Sequence, residues 1–195
     1  IGGDNGASGE AGNKGTVNEM RTMSFHDETV DWLHSQIDEL GGPQTYPNYP
    51  VGWAWAMNTP FPWTKQYASM LGGIRNGAIL AWPGRVAAPG TVCGQFGHVI
   101  DILPTALEAA HLPAPRTVLG TEQKPLDGES LLASLMDCQP DHPRTQYFEI
   151  GGKIGLYQNG WFLSGDDGRR PWEDIGPGGA RPQITWTLAD LTHDF

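Results

Sequence analysis

The sequence predicts a mixed α/β chain in which helices and one buried strand come first and an antiparallel meander comes last. Three observations carry this. Val30, Leu33, Ile37 and Leu40 recur at helical spacing and Gly41-Gly42 follows them. Gly77-Ala78-Ile79-Leu80-Ala81-Trp82 is an apolar run stopped by Pro83, as in a buried strand. From residue 145 the pattern alternates, and Asn159-Gly160 sits between two such runs as a two-residue hairpin signal. The order suggests the last part of an α/β sandwich followed by a small α+β subdomain.

Taken in order, Ile1-Gly2-Gly3 reads as the end of a buried strand that runs into Asp4-Asn5-Gly6. Gly6, Gly9, Gly12 and Gly15 lie among small polar residues, which marks a loop whose backbone can come close to something. A helix is expected over 27–40. A Pro- and Trp-rich loop is expected over 43–63, long enough to suggest a functional segment. A short helix should follow over 64–71 and end at Gly72-Gly73. The 77–82 strand comes next, then a connection over 91–97. Asp101 can cap a helix at about 103–111 whose Leu103, Ala106, Leu107 and Ala110 face inward. Residues 113–128 read as a loop and 128–136 as a helical turn. Ile154–Gln158 and Trp161–Ser164 form the hairpin, 165–182 a polar loop, and Ile184–Leu188 a last strand. Both ends read as cut from a longer protein.

Composition narrows the functional classes. The 195 residues carry 12 Lys and Arg against 22 Asp and Glu, a formal charge of −10. No basic run is available to release counterions from a phosphate backbone, so nucleic-acid binding is set aside. No stretch reaches the ~20 apolar residues of a membrane helix. At 17% charged and 38% hydrophobic residues the chain can fold around a core. Gly 27, Pro 16 and Trp 8 imply many turns and large flat surfaces for a core or for gripping rings. Cys93 and Cys138 fit neither a disulfide framework nor a zinc site.

Few residues suggest chemistry. Asp4 and Asn5 pair a carboxylate with an amide oxygen, which suits a hard divalent cation; the same tripeptide also makes an ordinary Asx or type I′ turn. Lys65 follows the aromatic loop in an acidic chain and could hold a tetrahedral anion as a point charge, or sit solvated on a helix surface. His26, His34, His111, His142 and His193 read as surface or loop residues, and His98 as a structural hydrogen-bonding group. Glu10, Glu19 and Asp27 are possible acid/base groups, but their spacing pairs none of them. The G-x-S-x-G, P-loop and H-E-x-x-H patterns are absent.

Asp4-Asn5-Gly6-Ala7-Ser8-Gly9-Glu10 resembles the metal-loop motif of the sulfatase family. The likeness continues through Gly15-Thr16, Asn18-Glu19, Tyr49–Ala56 and Thr59-Pro60-Phe61-Pro62-Trp63-Thr64-Lys65-Gln66. It then takes in Gly72-Gly73-Ile74-Arg75, the strand to Trp82-Pro83, and His98-Val99-Ile100-Asp101-Ile102-Leu103-Pro104-Thr105. It is collinear along nearly the whole chain and is nearest to the bacterial arylsulfatase branch.

That resemblance implies an alkaline-phosphatase-like fold. Residues 1–140 would be the C-terminal part of the α/β catalytic domain and 141–195 a small antiparallel-sheet subdomain. It implies arylsulfatase-type hydrolysis of a small-molecule sulfate ester. A Ca²⁺ (or Mg²⁺) ion would be held in part by Asp4 and Asn5. Lys65 would bind the sulfate and stabilise its developing charge. The nucleophile would be a formylglycine made from Cys or Ser in a missing N-terminal part of the same enzyme. Its motif, Cys or Ser followed by x-Pro-x-Arg, does not occur here; Cys138-Gln139-Pro140-Asp141-His142 ends in the wrong residue. Met70 stands where near relatives usually carry His. Two alternatives share these features: a phosphomonoesterase, phosphodiesterase or phosphonate hydrolase of the same superfamily, and a non-catalytic Trp-rich binding module.

Overall fold

In the computed structural model the described residues are 2–24, 26–86, 90–138, 143–169 and 183–193. They form two compact units. One comprises residues 78–144; the other joins 2–77 to the C-terminal segment from Thr145. The chain is thus mixed α/β with two antiparallel sheets.

In the larger unit, α1 (Glu19–Met23) is capped by Asn18, whose side chain accepts from Met20 N. The loop before it is held by Glu28, which is 4% exposed. Glu28 Oε2 accepts from Thr16 Oγ1 at 2.7 Å and Val17 N at 2.8 Å, and Oε1 accepts from Asn18 N at 3.2 Å. Arg21 Nε lies 3.6 Å from Oε1. A charged acceptor thus satisfies backbone N–H groups that have no helix or strand to pair with. Glu28→Gln turns one acceptor into a donor facing another donor. It should cost about 2 kcal/mol, read as a lower urea midpoint. An unchanged midpoint would show that Glu28 does not organise the loop.

The helix expected over 27–40 is broken. It appears as α2 (Val30–Ser35), capped by Thr29, and a 3₁₀ turn (Ile37–Glu39). Its apolar stripe stays outside: Val30, Ile37 and Leu40 are all exposed. The bend at Gln36 (φ −102°) interrupts the helix, so the periodicity never builds one continuous face. The expected Trp-rich loop instead contains a helix, α3 (Val51–Asn58), entered from Pro50. Pro fits a helix start because its missing N–H would be unsatisfied there anyway. Ala54 is fully buried while Trp53 and Trp55 are exposed. The helix expected over 64–71 is a series of turns. The helical turn α4 (Leu71–Ile74) follows and contains Gly72 and Gly73 rather than ending at them.

The C-terminal sheet matches expectation closely. Strands β3 (Thr145–Ile150), β4 (Lys153–Gln158), β5 (Trp161–Asp166) and β6 (Thr185–Asp190) form an antiparallel meander in order β3-β4-β5-β6. Gln158 faces Trp161 across the hairpin. Asn159 and Gly160 both take positive φ (48° and 87°), as a type I′ turn demands. Residues 170–182 of the expected polar loop lie outside the described residues, as do Ile1 of the expected first strand and His142. Gly2 and Gly3 are exposed, not buried.

In the smaller unit, a 3₁₀ turn (Val99–Asp101) leads into α5 (Ile102–Ala109). Asp101 does not cap α5 with its side chain. It is fully buried, and its carboxylate accepts from His98 N at 2.8 Å, Glu129 N at 2.9 Å and Arg144 Nη2 at 3.0 Å. His98 acts as the structural group expected, its Nδ1 accepting from Ile100 N. The inward face expected on α5 is not formed, since no residue of the helix is buried and Leu103 is 52% exposed. The loop over 113–128 carries a short ribbon, β1 (Thr117–Val118) with β2 (Thr121–Glu122), before α6 (Leu132–Asp137). Two expectations fail here. Residues 77–82 belong to neither sheet; 77–81 are exposed, Ile79 at 68%, and Trp82 is half-buried. Cys93 and Cys138 form a disulfide with Cα atoms 5.6 Å apart; a single pair 45 residues apart leaves no spacing pattern to read.

Candidate functional site

The glycine-rich loop and the loop that carries Lys65 lie side by side within the larger unit. Lys65 N donates to Ala7 O and Gly6 N donates to Gly73 O, both at 2.9 Å. Asn58, at the end of α3, ties the two together: Oδ1 accepts from Ala7 N at 3.0 Å and Nδ2 donates to Trp63 O at 2.9 Å. Close approach is possible only because glycines occupy the contact. A Cβ on Gly6 would fall inside the Gly72 carbonyl oxygen. One on Gly72 would meet the carbonyls of Trp63 and Pro62, and one on Gly73 that of Tyr67. The loop read from sequence as capable of close approach does approach, at Gly6, Gly9 and Gly15; Gly12 meets open space.

Lys65 is bracketed by two residues in the left-handed region, Trp63 (φ 68°) and Gln66 (φ 76°). Neither is Gly, Asn or Asp, so the conformation costs energy that the surroundings must offset. The surroundings are visible. The Trp63 ring stacks on Tyr67 at 4.3 Å and meets Trp55 edge-on at 5.8 Å. Tyr67 is buried, and the cation of Lys153 lies 4.7 Å from its ring centre. Ser69 Oγ donates to Asp166 Oδ2, and Ser164 Oγ donates to Ser69 O, both at 2.6 Å. The C-terminal sheet thus grips the segment that directly follows Lys65.

The Lys65 ammonium is 2.8 Å from Glu10 Oε2. Ser8 Oγ donates to the same oxygen at 2.9 Å, and Gln66 Nε2 donates to Glu10 Oε1. Asn48 Nδ2 donates to Ser8 Oγ at 3.0 Å and to Glu19 Oε1 at 2.5 Å, while Tyr49 OH accepts from Ser8 N. The hydrogen bond to Glu10 raises the Lys65 pKa; burial opposes it, and the charges of Glu10, Glu19 and Asp4 add to the rise. Burial pushes the Glu10 carboxyl up. Hydrogen bonds from Lys65, Ser8 and Gln66 and the Lys65 charge outweigh it and hold the group below the usual carboxylate range. Both therefore stay charged through neutral pH.

Of the three residues singled out from sequence, Lys65 is partly buried in this arrangement. Asp4 is exposed but close enough for its charge to act on Lys65, and Asn5 is half-buried on the same loop. Asp4 and Asn5 offer the hard oxygens that Ca²⁺ or Mg²⁺ prefers, but Ca²⁺ takes ~6–8 of them, so the pair supplies part of a shell. Among the described residues no group of three or more His, Cys, Asp or Glu gathers to complete it. Sequence reasoning missed Asn58, Ser8 and the pairing of Glu10 with Lys65. Glu10 stands inside the loop motif, which was the available signal.

No family model matches the chain. It is nevertheless similar to sulfatases at modest identity. An uncharacterized sulfatase of Schizosaccharomyces pombe is 27% identical over 98% of the chain and 32% of its own length. N-acetylgalactosamine-6-sulfatase of Canis lupus familiaris is 36% identical over 46% of the chain and 16% of its own length. The Homo sapiens enzyme of that name is 37% identical over 40% of the chain and 14% of its own length. The chain therefore spans about a third of the first relative and less of the others.

Proposed function

We propose that this chain supplies the sulfate-gripping side of a metal-dependent sulfate-ester hydrolase of arylsulfatase type. The supporting observation is the seam between the two loops, where Gly6 and Ala7 bond to Gly73 and Lys65 and bring the Asp4-Asn5 loop beside the ammonium. Likeness to proteins named sulfatases gives that seam its chemistry. Lys65 binds a sulfuryl oxygen and offsets charge as it develops on the ester. Asp4 and Asn5 provide two oxygen ligands for Ca²⁺ or Mg²⁺, and the ion, when bound, supplies the larger share of positive charge. The formylglycine nucleophile lies outside these 195 residues, in keeping with the absence of the Cys/Ser-x-Pro-x-Arg motif from them.

The test is calorimetric titration of the chain with inorganic sulfate in the presence of Ca²⁺. Sulfate should bind, and Lys65→Ala should weaken it roughly ten- to a hundredfold, the worth of one hydrogen bond to a charged group. Equal binding by both proteins removes Lys65 from the site. Aryl sulfate turnover by this chain alone should stay at background; robust turnover would show that a nucleophile is present after all. A sugar sulfate belongs beside the aryl ester in that assay, since the mammalian relatives are named for one.

A further inference from the structure

We propose that Glu10 is a specificity residue of this oxyanion site: its carboxylate is the resident counter-anion of Lys65, and the ester's oxyanion takes its place. The inference rests on the reading of Lys65 given above and concerns what that side chain does before substrate arrives. Glu10 Oε2 accepts from the ammonium at 2.8 Å. It is not a loose surface partner. Ser8 Oγ and the Gln66 amide both donate to it, and Ser8 is itself fixed by Asn48 and Tyr49. Gln66 reaches Glu10 from a left-handed backbone position (φ 76°), so the strained turn beside Lys65 aims a donor at the carboxylate.

A carboxylate held by three donors is a fair copy of one edge of a sulfate or a carboxylate-like oxyanion. The same three donors, from Ser8, Lys65 and Gln66, are then the set an incoming oxyanion inherits when Glu10 swings away. Glu10 sets a threshold. It is about one-third exposed, so it can leave. A weakly charged or poorly shaped anion does not displace it. A tetrahedral oxyanion, presenting several oxygens at once, does. With Glu19 and Asp4 also acting on Lys65, the unliganded cluster carries three carboxylates to one ammonium. Binding of an anion is therefore favoured only when Glu10 withdraws or a cation joins Asp4.

The experiment uses the full 195-residue chain, its Glu10→Gln variant and its Ser8→Ala variant. Inorganic sulfate is the probe, with Ca²⁺ held constant. The chain has four lysines, so the Lys65 ammonium can be followed individually by NMR. Removing the competing charge should tighten sulfate on the order of fivefold, the upper range for a partly exposed ion pair. Ser8→Ala removes a donor that Glu10 and the incoming sulfate share, so it should not tighten sulfate. In Glu10→Gln sulfate should perturb the Lys65 resonance at lower concentration than in the parent, and thermal melts check that both variants are folded. Sulfate that binds the parent but binds Glu10→Gln no more tightly overturns the role of Glu10 and leaves the site standing. Sulfate that perturbs Lys65 in none of the three proteins overturns the oxyanion site and this inference together.

Discussion

Gly6→Ala should abolish sulfate and cation binding and destabilise the larger unit by about 4 kcal/mol, although it adds one methyl group. The new Cβ would lie inside the Gly72 carbonyl oxygen, with the Gly72 carbonyl carbon 2.8 Å away. Backbone cannot yield as a flexible side chain does. Gly72 is hemmed in as well: a Cβ built on it would lie 2.2 Å from the Trp63 carbonyl oxygen and 2.3 Å from that of Pro62. The two loops must part, and the Gly6–Gly73 and Ala7–Lys65 bonds go with them. The site is lost by geometry, with Asp4, Asn5 and Lys65 all still present. Gly52→Ala is the matched control. It lies in α3 with nothing within 4 Å of its Cβ. Relief of helix-interior glycine should make it neutral or more stable by ~0.5–1 kcal/mol. Chemical unfolding and sulfate titration of both variants decide the matter. A Gly6→Ala protein that still binds sulfate would mean the loops need not touch.

What could be read from the residue order divides by range of interaction. The Asn159-Gly160 turn is encoded in two adjacent residues and was legible, as was the alternation of β4 and β5 on either side. The loop motif and Lys65 were legible as types of residue in order. Their partners were not, because those are non-local: Glu10 and Lys65 are 55 positions apart, and Ala7 and Asn58 are 51 apart. Glu28 reads as one more acidic residue before a helix; only the fold shows three donors converging on it. Helix α3 was obscured because Trp and Pro density suggests a loop, whereas Pro50 merely starts the helix and Ala54 lets it pack closely. The 77–82 run erred the other way. Apolar sequence states what would gain from burial, not how much of it this chain buries.

Lys153→Met should be comparably damaging, at about 3–5 kcal/mol near neutral pH. Lys153 is 3% exposed, with its ammonium 3.3 Å from both Asp166 carboxylate oxygens and 3.2 Å from Asp167 Oδ1. Met keeps the bulk beside Tyr67 and removes the charge, so the loss is electrostatic. Among the described residues Asp167, also nearly inaccessible, then keeps the Arg169 guanidinium and backbone N–H, and Asp166 keeps Ser69 Oγ and Gly168 N. The pH dependence separates this from a packing defect. Burial pushes the Asp167 carboxyl up, but hydrogen bonds from Arg169 and Lys153 prevail and lower it from 3.8 to about 2. A depressed carboxyl adds stability that is complete above its unfolded pKa, here about 4, and drains away as pH falls toward 2. The parent should therefore lose stability across that window. Without Lys153 the shift shrinks, so the variant should lose less there and the gap between the two proteins should narrow in acid. A gap constant from pH 7 to pH 2.5 would assign the loss to packing instead. Because Asp166 and Ser69 anchor the turn two residues beyond Tyr67, the variant should also weaken sulfate binding at Lys65. Lys124→Met, at an exposed position, should leave both stability and sulfate affinity unchanged.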